Sequence, residues 1–197
     1  VSKTQQQQFL NFPSQIFRKD VNFIRPLDKD IEEVFDEKRN KFFRFGECER
    51  FLFLNDKNEM VGKIALFINK KYKQKQPTGG FGFFDCIHHQ ETANFIFDFS
   101  RDFLQNKGME AMDGPINFGE RDKFWGLLID GFSEPLYAMN YNPPYYKELF
   151  ENYGFQIYFN QLCFSRKIHS PVAENFLEMH ARISKNENIR AKFYRSL

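Results

Sequence analysis

The distribution of apolar and polar positions in the first half of the chain predicts three consecutive strands. Residues 48–54 and 60–68 are rich in β-branched and aromatic side chains, which favour strands. Residues 55–58 between them carry Asn and Asp, which build tight turns, so the two runs are predicted to pair antiparallel. A third apolar run, residues 81–87, follows a pair of glycines and is predicted to be the next strand.

Helical spacing begins at Thr92, where apolar side chains recur three and four residues apart on one face until Gly108. This pattern predicts the longest helix. Shorter helices are predicted over residues 13–19 and 27–35, ahead of the strands. A further helical pattern follows Pro171 and leads into a basic, weakly patterned end at residues 190–197.

Residues 142–155 have the pattern of one complete helix that leads directly into a strand. Asn142 can accept a first-turn N–H, and Pro143 suits the first helical position, which needs no donor. Gly154 provides the left-handed residue that ends a helix. The predicted apolar stripe consists of Tyr146, Leu149, Phe150 and Tyr153.

The remaining segments are predicted from weaker patterns. Residues 111–118 fit a short strand, and residues 119–141 form a mixed segment long enough to suggest a functional loop. Apolar residues alternate from Phe155 and then change phase, which predicts a final strand over residues 155–167 with a bend near 160–161.

Composition restricts the classes of partner. The chain has 28 Lys and Arg against 26 Asp and Glu, a net charge of +2, so neither nucleic acid nor an anionic membrane is an expected partner. Cys48, Cys86 and Cys163 are an odd number without paired spacing, which is typical of buried thiols in a reducing, cytoplasmic protein. No signal peptide or long apolar span is recognisable in the printed sequence. The 27 Phe residues predict a core rich in phenylalanine.

The order of elements resembles that of the GNAT N-acetyltransferase superfamily. The motifs that carry the resemblance are Met-Val-Gly at 60–62, entering a strand, and Leu-Phe-Glu-Asn-Tyr-Gly-Phe at 149–155. Residues 114–118, 126–132 and 141–146 are also similar to bacterial GNAT-like proteins whose longer members carry two such domains. The resemblance implies an α/β fold with a mixed, mostly antiparallel sheet that is flanked by helices on both faces.

The resemblance also implies a domain organisation. We expect residues 1–12 to be a mobile segment, residues 13–168 to form the GNAT-like domain, and residues 169–197 to be a helical appendage or linker. A second GNAT-like domain or a homodimer is the implied partner, besides a small-molecule amine or peptide acceptor.

The implied co-substrate is acetyl-CoA, with no metal. In this family two strands separate so that free backbone groups bind the pantetheine arm, and the next helix offers its N–H groups to the pyrophosphate. Here the separation would lie between residues 83–87 and 111–117. In the loop at residues 88–93, Glu91 replaces a glycine of the family, so this loop either binds phosphate through a histidine or binds nothing. A metal site formed by His88 and His89 is disfavoured, because adjacent side chains on a strand point in opposite directions. The implied cofactor-binding residues are Phe84, Cys86, Ile87, His88, His89, Gln90, Glu91, Thr92, Ala93, Asn117, Asn142 and Tyr145.

Two residues are implied for catalysis. The family's proton-donating tyrosine corresponds to Phe150, which has no hydroxyl, so the nearest candidate is Tyr146, one turn earlier, unless that residue only packs in the core. Asp85, in an apolar strand, is the candidate base; Asp113 and Asp122 are weaker candidates.

Two functions are therefore predicted. The first is an acyl-CoA-dependent N-acyltransferase that moves acetyl from acetyl-CoA to a primary amine in a ternary complex. The alternative is a non-catalytic GNAT-like module that binds a ligand or partner through residues 119–141.

Overall fold

The computed structural model describes residues 2–72, 74–186 and 188–189, and the chain divides into two units between Gln156 and Ile157. The first unit contains the helices α1 (Lys3–Ile16), α2 (Asp28–Phe35), α3 (Gln90–Asn106) and α4 (Tyr146–Tyr153), with a short 3-10 helix at Lys41–Arg44. Its strands are β1 (Gly46–Leu54), β2 (Met60–Asn69), β3 (Thr78–Cys86) and β4 (Ala111–Asp113).

The four strands form one sheet in the order β1-β2-β3-β4. β1 pairs with β2 and β2 with β3 antiparallel, whereas β3 and β4 are parallel. The predicted mixed, mostly antiparallel sheet is confirmed. β2 is central and its middle residues are buried, as a strand covered on both faces requires.

Each face of the sheet has its own apolar cluster. Successive side chains of a strand point to opposite faces, so Ile64 packs with the cluster that includes Ile96 and Leu149, on the side of α3 and α4. Phe67 packs with the cluster that includes Leu10 and Ile31, on the side of α1 and α2. Helices therefore cover both faces, as predicted.

A β-bulge in β3 decides which face its last residues occupy. The register between β2 and β3 shifts by one residue between the pairs Lys63–Asp85 and Ala65–Gly82. Phe83, within the shift, has a positive φ of 49°. Such a conformation costs a bulky residue on the order of 1–3 kcal/mol. Because one extra residue reverses the alternation, Asp85 lies on the face of α1 beside Lys63 rather than in the core under α3.

β3 continues well beyond the end of β4. Only Thr78, Gly79 and Gly80 pair with β4, and one more hydrogen bond joins the Ile116 N–H to the Phe81 carbonyl. The predicted strand over 111–118 is therefore shorter than expected. Among the described residues no backbone hydrogen bond joins the two segments beyond Phe81, although the Ile116 carbonyl still approaches Gly82, so the end of β3 is unpaired on one edge.

α4 confirms the predicted stripe but not the predicted cap. Tyr146, Leu149 and Phe150 are buried, and Gly154 ends the helix with a φ of 110°. The prediction that Asn142 caps the helix is wrong, because Tyr145 takes the N-cap position and the Asn142 side chain binds the backbone of residue 128 instead.

Other segments differ from their predictions. α1 begins at Lys3, within the segment expected to be mobile, and Phe9 and Phe12 anchor it in the core. The final strand predicted over 155–167 is wrong: all of these residues are described, and none belongs to a strand. Apolar alternation predicts a strand only where another strand supplies the hydrogen bonds. The second unit, described by itself, contains the helix α5 (Glu174–Ser184). The basic end at 190–197 lies outside the described residues.

Candidate active site

Three polar side chains meet in the interior of the first unit. The Asp85 carboxylate is 3.1 Å from the Lys63 ammonium through Oδ2, and its Oδ1 accepts a hydrogen bond of 3.1 Å from the Tyr146 hydroxyl. The exposed fractions are 2% for Lys63, 7% for Asp85 and 1% for Tyr146. The structure thus brings together the two residues predicted to be catalytic and adds a lysine.

Two tyrosine hydroxyls form hydrogen bonds with the backbone of Cys86, at the unpaired end of β3. The Cys86 N–H donates to the Tyr146 hydroxyl at 2.9 Å, and the Tyr145 hydroxyl donates to the Cys86 carbonyl at 2.8 Å. The His88 ring stacks on Tyr145 with centroids 4.2 Å apart. The backbone groups that would otherwise be free at the separation are therefore satisfied by side chains of the α4 segment.

An apolar cavity opens beside these groups. The space inside it that the centre of a water molecule can reach is about 70 Å³. Lys63, Asp85 and Tyr146 contribute to its wall, which is otherwise mainly apolar. Residues of α1, of segment 23–26 and of the long loop 119–141 enclose it, among them Pro13, Phe23, Phe124, Met139 and Tyr141. The long loop thus builds one side of the cavity.

Burial shifts the protonation equilibria of the three groups. It raises the pKa of Asp85 and lowers the pKa of Lys63, while their mutual attraction opposes both shifts. Burial also raises the pKa of Tyr146 well above its usual value. Tyr146 is therefore a protonated hydroxyl at neutral pH, the state that can donate to Asp85.

In the loop predicted to bind pyrophosphate, the Thr92 N–H is taken by a side chain of the loop itself. His89 is the N-cap of α3 and accepts from the Thr92 N–H at 3.3 Å through Nδ1. Gln90 donates to the Leu149 carbonyl and to Asn94. Glu91 is exposed in the first turn, and Ala93 is buried in the core.

The remaining predicted residues lie in the core, in the sheet, at the long loop and at a separate cavity. Phe84 packs in the core under α4, and the Ile87 N–H donates to the Val61 carbonyl. Asn142 holds the loop near residue 128, as described above. Asn117 lies apart from the site and lines another cavity, with Phe42, Phe67 and Tyr72.

Lys63 is the site residue that sequence reasoning missed. The available signal was a lysine within the apolar run 60–68, which is exceptional for a strand that is buried on both faces. Its partner could not be read from the sequence, because Lys63 and Asp85 meet only through the bulged register of β2 and β3.

Neither a group of metal ligands nor a membrane-spanning helix is found among the residues that the structure describes. Among the residues that the structure describes, no three His, Cys, Asp or Glu side chains are grouped so that they could hold a metal ion. In the same part of the chain, no helix has the length and apolar character needed to cross a membrane.

Comparison with known proteins gives distant relatives. No family model matches the chain. It is 29% identical over 153 residues to the bacterial ceramide synthase of Caulobacter vibrioides, covering 75% of this chain and 39% of that protein. It is 25% identical over 158 residues to protein YghO of Escherichia coli, covering 79% of this chain and 40% of that protein. The chain therefore spans about two fifths of each of these relatives.

One solved structure also matches the chain. It is a Pyrococcus furiosus protein described as an acetyl transferase, with a TM-score of 0.46 and 12% identity. The match covers 84% of this chain and 95% of that one.

Proposed function

We propose that this chain forms the acyl-transfer site of an N-acyltransferase, which joins an acyl group from a thioester to a primary amine. The observation that carries the proposal is the buried contact between Asp85 and Tyr146 in the wall of an apolar cavity. Together these groups provide a proton acceptor and a proton donor in a place from which water is largely excluded.

The proposed reaction has balanced proton transfers. The amine nitrogen attacks the thioester carbonyl, the C–N bond forms, and the C–S bond breaks. Asp85 accepts the proton that the nitrogen loses, and Tyr146 donates one to the departing sulfur. The hydrogen bond between the two residues then returns the proton from Asp85 to Tyr146, which restores both groups.

Acyl-CoA is the donor that we propose, with its pantetheine arm in the separation beyond Phe81. This position requires Tyr145 to release the Cys86 carbonyl, because the tyrosine hydroxyl occupies it at 2.8 Å. The first turn of α3 is a weaker binding site for a pyrophosphate than a helix N-terminus with free N–H groups. The Thr92 N–H already donates to His89, and Glu91 adds a negative charge. We therefore expect the nucleotide to contribute little to donor affinity.

The name of the Caulobacter relative supports an amide product, because a ceramide is the N-acyl amide of a long-chain amino alcohol. The mainly apolar lining of the cavity is chemically suited to a hydrocarbon group. We propose acceptors of this class, alongside simpler primary amines, and acyl groups from acetyl upwards.

The test is a turnover assay with purified protein. Acyl-CoAs of increasing chain length and a panel of primary amines, including long-chain amino alcohols, are incubated with it, and amide and free thiol are measured by mass spectrometry. Asp85→Asn is expected to lower kcat by about 100-fold or more, the usual contribution of a general base. Asp56→Asn, in the exposed turn between β1 and β2, is the matched control.

A second candidate function is binding without catalysis, and the closed Cys86 backbone favours it. A module of this kind would hold an apolar ligand in the cavity, with the loop 119–141 as one wall. Saturable binding of an acyl-CoA or an amine, with no amide formed under any condition of the assay, would support this function and contradict acyl transfer.

A further inference from the structure

Lys63 occupies a position that is unusual for a lysine. Its side chain is 2% exposed, its Nζ lies 4.3 Å from the centre of the Phe9 ring, and the neighbouring residues of β2 are apolar. An ammonium group in such surroundings loses most of its hydration, which is costly unless another charge compensates it. That charge is the Asp85 carboxylate, 3.1 Å away.

The backbone, rather than side-chain flexibility, fixes this pair. Lys63 and Asp85 are directly opposite each other in the β2–β3 register, immediately after the bulge at Phe83. Directly opposed side chains on one face of an antiparallel pair have Cβ atoms about 4.5–5.5 Å apart. The bulge therefore places the carboxylate both against the lysine and at the cavity wall.

Other ionisable groups also face the pair. Tyr146 donates to Asp85, and Tyr145 and Cys86 lie on the same side at longer range. Arg50 and Arg25 act on Lys63 as like charges, although each has its own acidic partner, Glu32 and Asp28. Lys63 is the cation in direct contact with Asp85 among the described residues.

We propose that Lys63 is a positioning residue that keeps Asp85 ionised and directed at the cavity, so that Asp85 can accept the proton of the amine. This inference rests on the acyl transfer proposed above. Without the lysine, Asp85 would be a buried carboxyl group with no adjacent positive charge, and the neutral acid would be favoured. A neutral Asp85 cannot accept a proton, so turnover at neutral pH depends on a residue that need not touch the substrate.

The first test measures Asp85 itself and needs no substrate. Carboxyl carbons are labelled with ¹³C, the Asp85 signal is assigned by its loss in Asp85→Asn, and its titration is followed in the wild type and in Lys63→Met. We expect the carboxylate in the wild type near pH 7 and the neutral acid in the variant, a rise of about one pH unit or more in the midpoint. An unchanged midpoint in Lys63→Met would overturn the inference.

The second test is the pH profile of kcat/KM. In Lys63→Met the acidic limb should move to higher pH, so activity falls about tenfold or more near pH 7 and partly recovers in alkali. Lys63→Arg should retain the wild-type midpoint. A uniform loss at every pH would mark a purely structural role.

The two proposals fail in different ways. A shifted Asp85 titration in a protein that never forms amide would uphold the action of Lys63 on Asp85 and refute acyl transfer. Amide formation together with an unchanged Asp85 titration in Lys63→Met would support acyl transfer and refute the action of Lys63 on Asp85. If Lys63→Met does not fold, Lys63→Met with Asp85→Asn provides the decision: recovery of folding shows that the lysine compensates the Asp85 charge, and continued unfolding overturns the inference.

Discussion

Tyr146→Phe removes one hydroxyl that serves two buried partners. In the wild type this hydroxyl accepts from the Cys86 N–H at 2.9 Å and donates to Asp85 at 3.1 Å. The remaining ring still fills the stripe of α4, because Phe and Tyr differ by the hydroxyl alone. The substitution therefore isolates the two hydrogen bonds from the packing of the ring against Phe84.

The cost can be worked out from these contacts. An unsatisfied buried N–H costs about 1–3 kcal/mol, and a hydrogen bond to a charged group contributes about 1.5–3 kcal/mol. We expect a loss of about 3–5 kcal/mol in the free energy of unfolding. For a chain of this length each kcal/mol lowers Tm by about 2–4 °C, so the melting temperature should fall by about 10 °C.

The penalty should depend on pH. Burial raises the pKa of Asp85, while the Tyr146 hydroxyl stabilises its ionised form. Losing the hydroxyl raises the Asp85 pKa further, so the folded variant is penalised most where Asp85 must be ionised. The difference from the wild type should therefore shrink as the pH falls through the Asp85 pKa and grow as it rises.

Thermal unfolding followed by circular dichroism measures both effects. Tyr153→Phe is the matched control, since its hydroxyl donates to the half-buried Asp98 and its loss should cost about 0.5–1 kcal/mol. A Tyr146→Phe protein that melts within about 2 °C of this control would refute the reasoning about buried hydrogen bonds.

Three further predictions follow from single contacts. Gly82→Ala should lower the free energy of unfolding by about 2 kcal/mol or more in denaturant titrations. The added Cβ would lie 2.0 Å from the Ile116 carbonyl oxygen, a backbone atom that cannot move alone. An unchanged free energy of unfolding would contradict this close approach. Glu91→Gln removes a negative charge from the first turn of α3 and should tighten the binding of acyl-CoA by up to about fivefold in calorimetry. The binding of an acyl-pantetheine, which lacks the nucleotide, should not change. An equal gain for both ligands would show that no phosphate lies near Glu91. Burial raises the pKa of the Cys86 thiol to about 12. Iodoacetamide at about pH 8 should therefore label the exposed Cys163 and leave Cys86 unmodified until the protein unfolds. Rapid labelling of Cys86 in the folded protein would mean that the core opens at this position.

Local patterns were sufficient for several elements. The hairpin of β1 and β2, the helix α3 and the stripe of α4 each follow from side chains within one segment, through strand alternation, helical spacing and the left-handed Gly154. The resemblance between the order of elements and a known architecture was sufficient for the sheet type, which the strand pairings confirm.

Other features depended on partners distant in sequence. Asn142 had the right chemistry for a helix cap, but its side chain pairs with the backbone of residue 128. Residues 155–167 alternate as a strand does, yet a strand forms only where another edge accepts its hydrogen bonds. Such competition between partners cannot be read from one segment.

The residues of the candidate site show the same difference between local pattern and tertiary contact. The sequence by itself determined that Asp85 lies in an apolar strand and that Tyr146 lies on the buried face of a helix. Only the tertiary structure decided that they touch and that Lys63 completes the group, because the bulge at Phe83 moves Asp85 to the opposite face of the sheet. A shift of one residue in strand register reverses every later side chain, and that register is set by packing on both faces rather than by the residues of β3 alone.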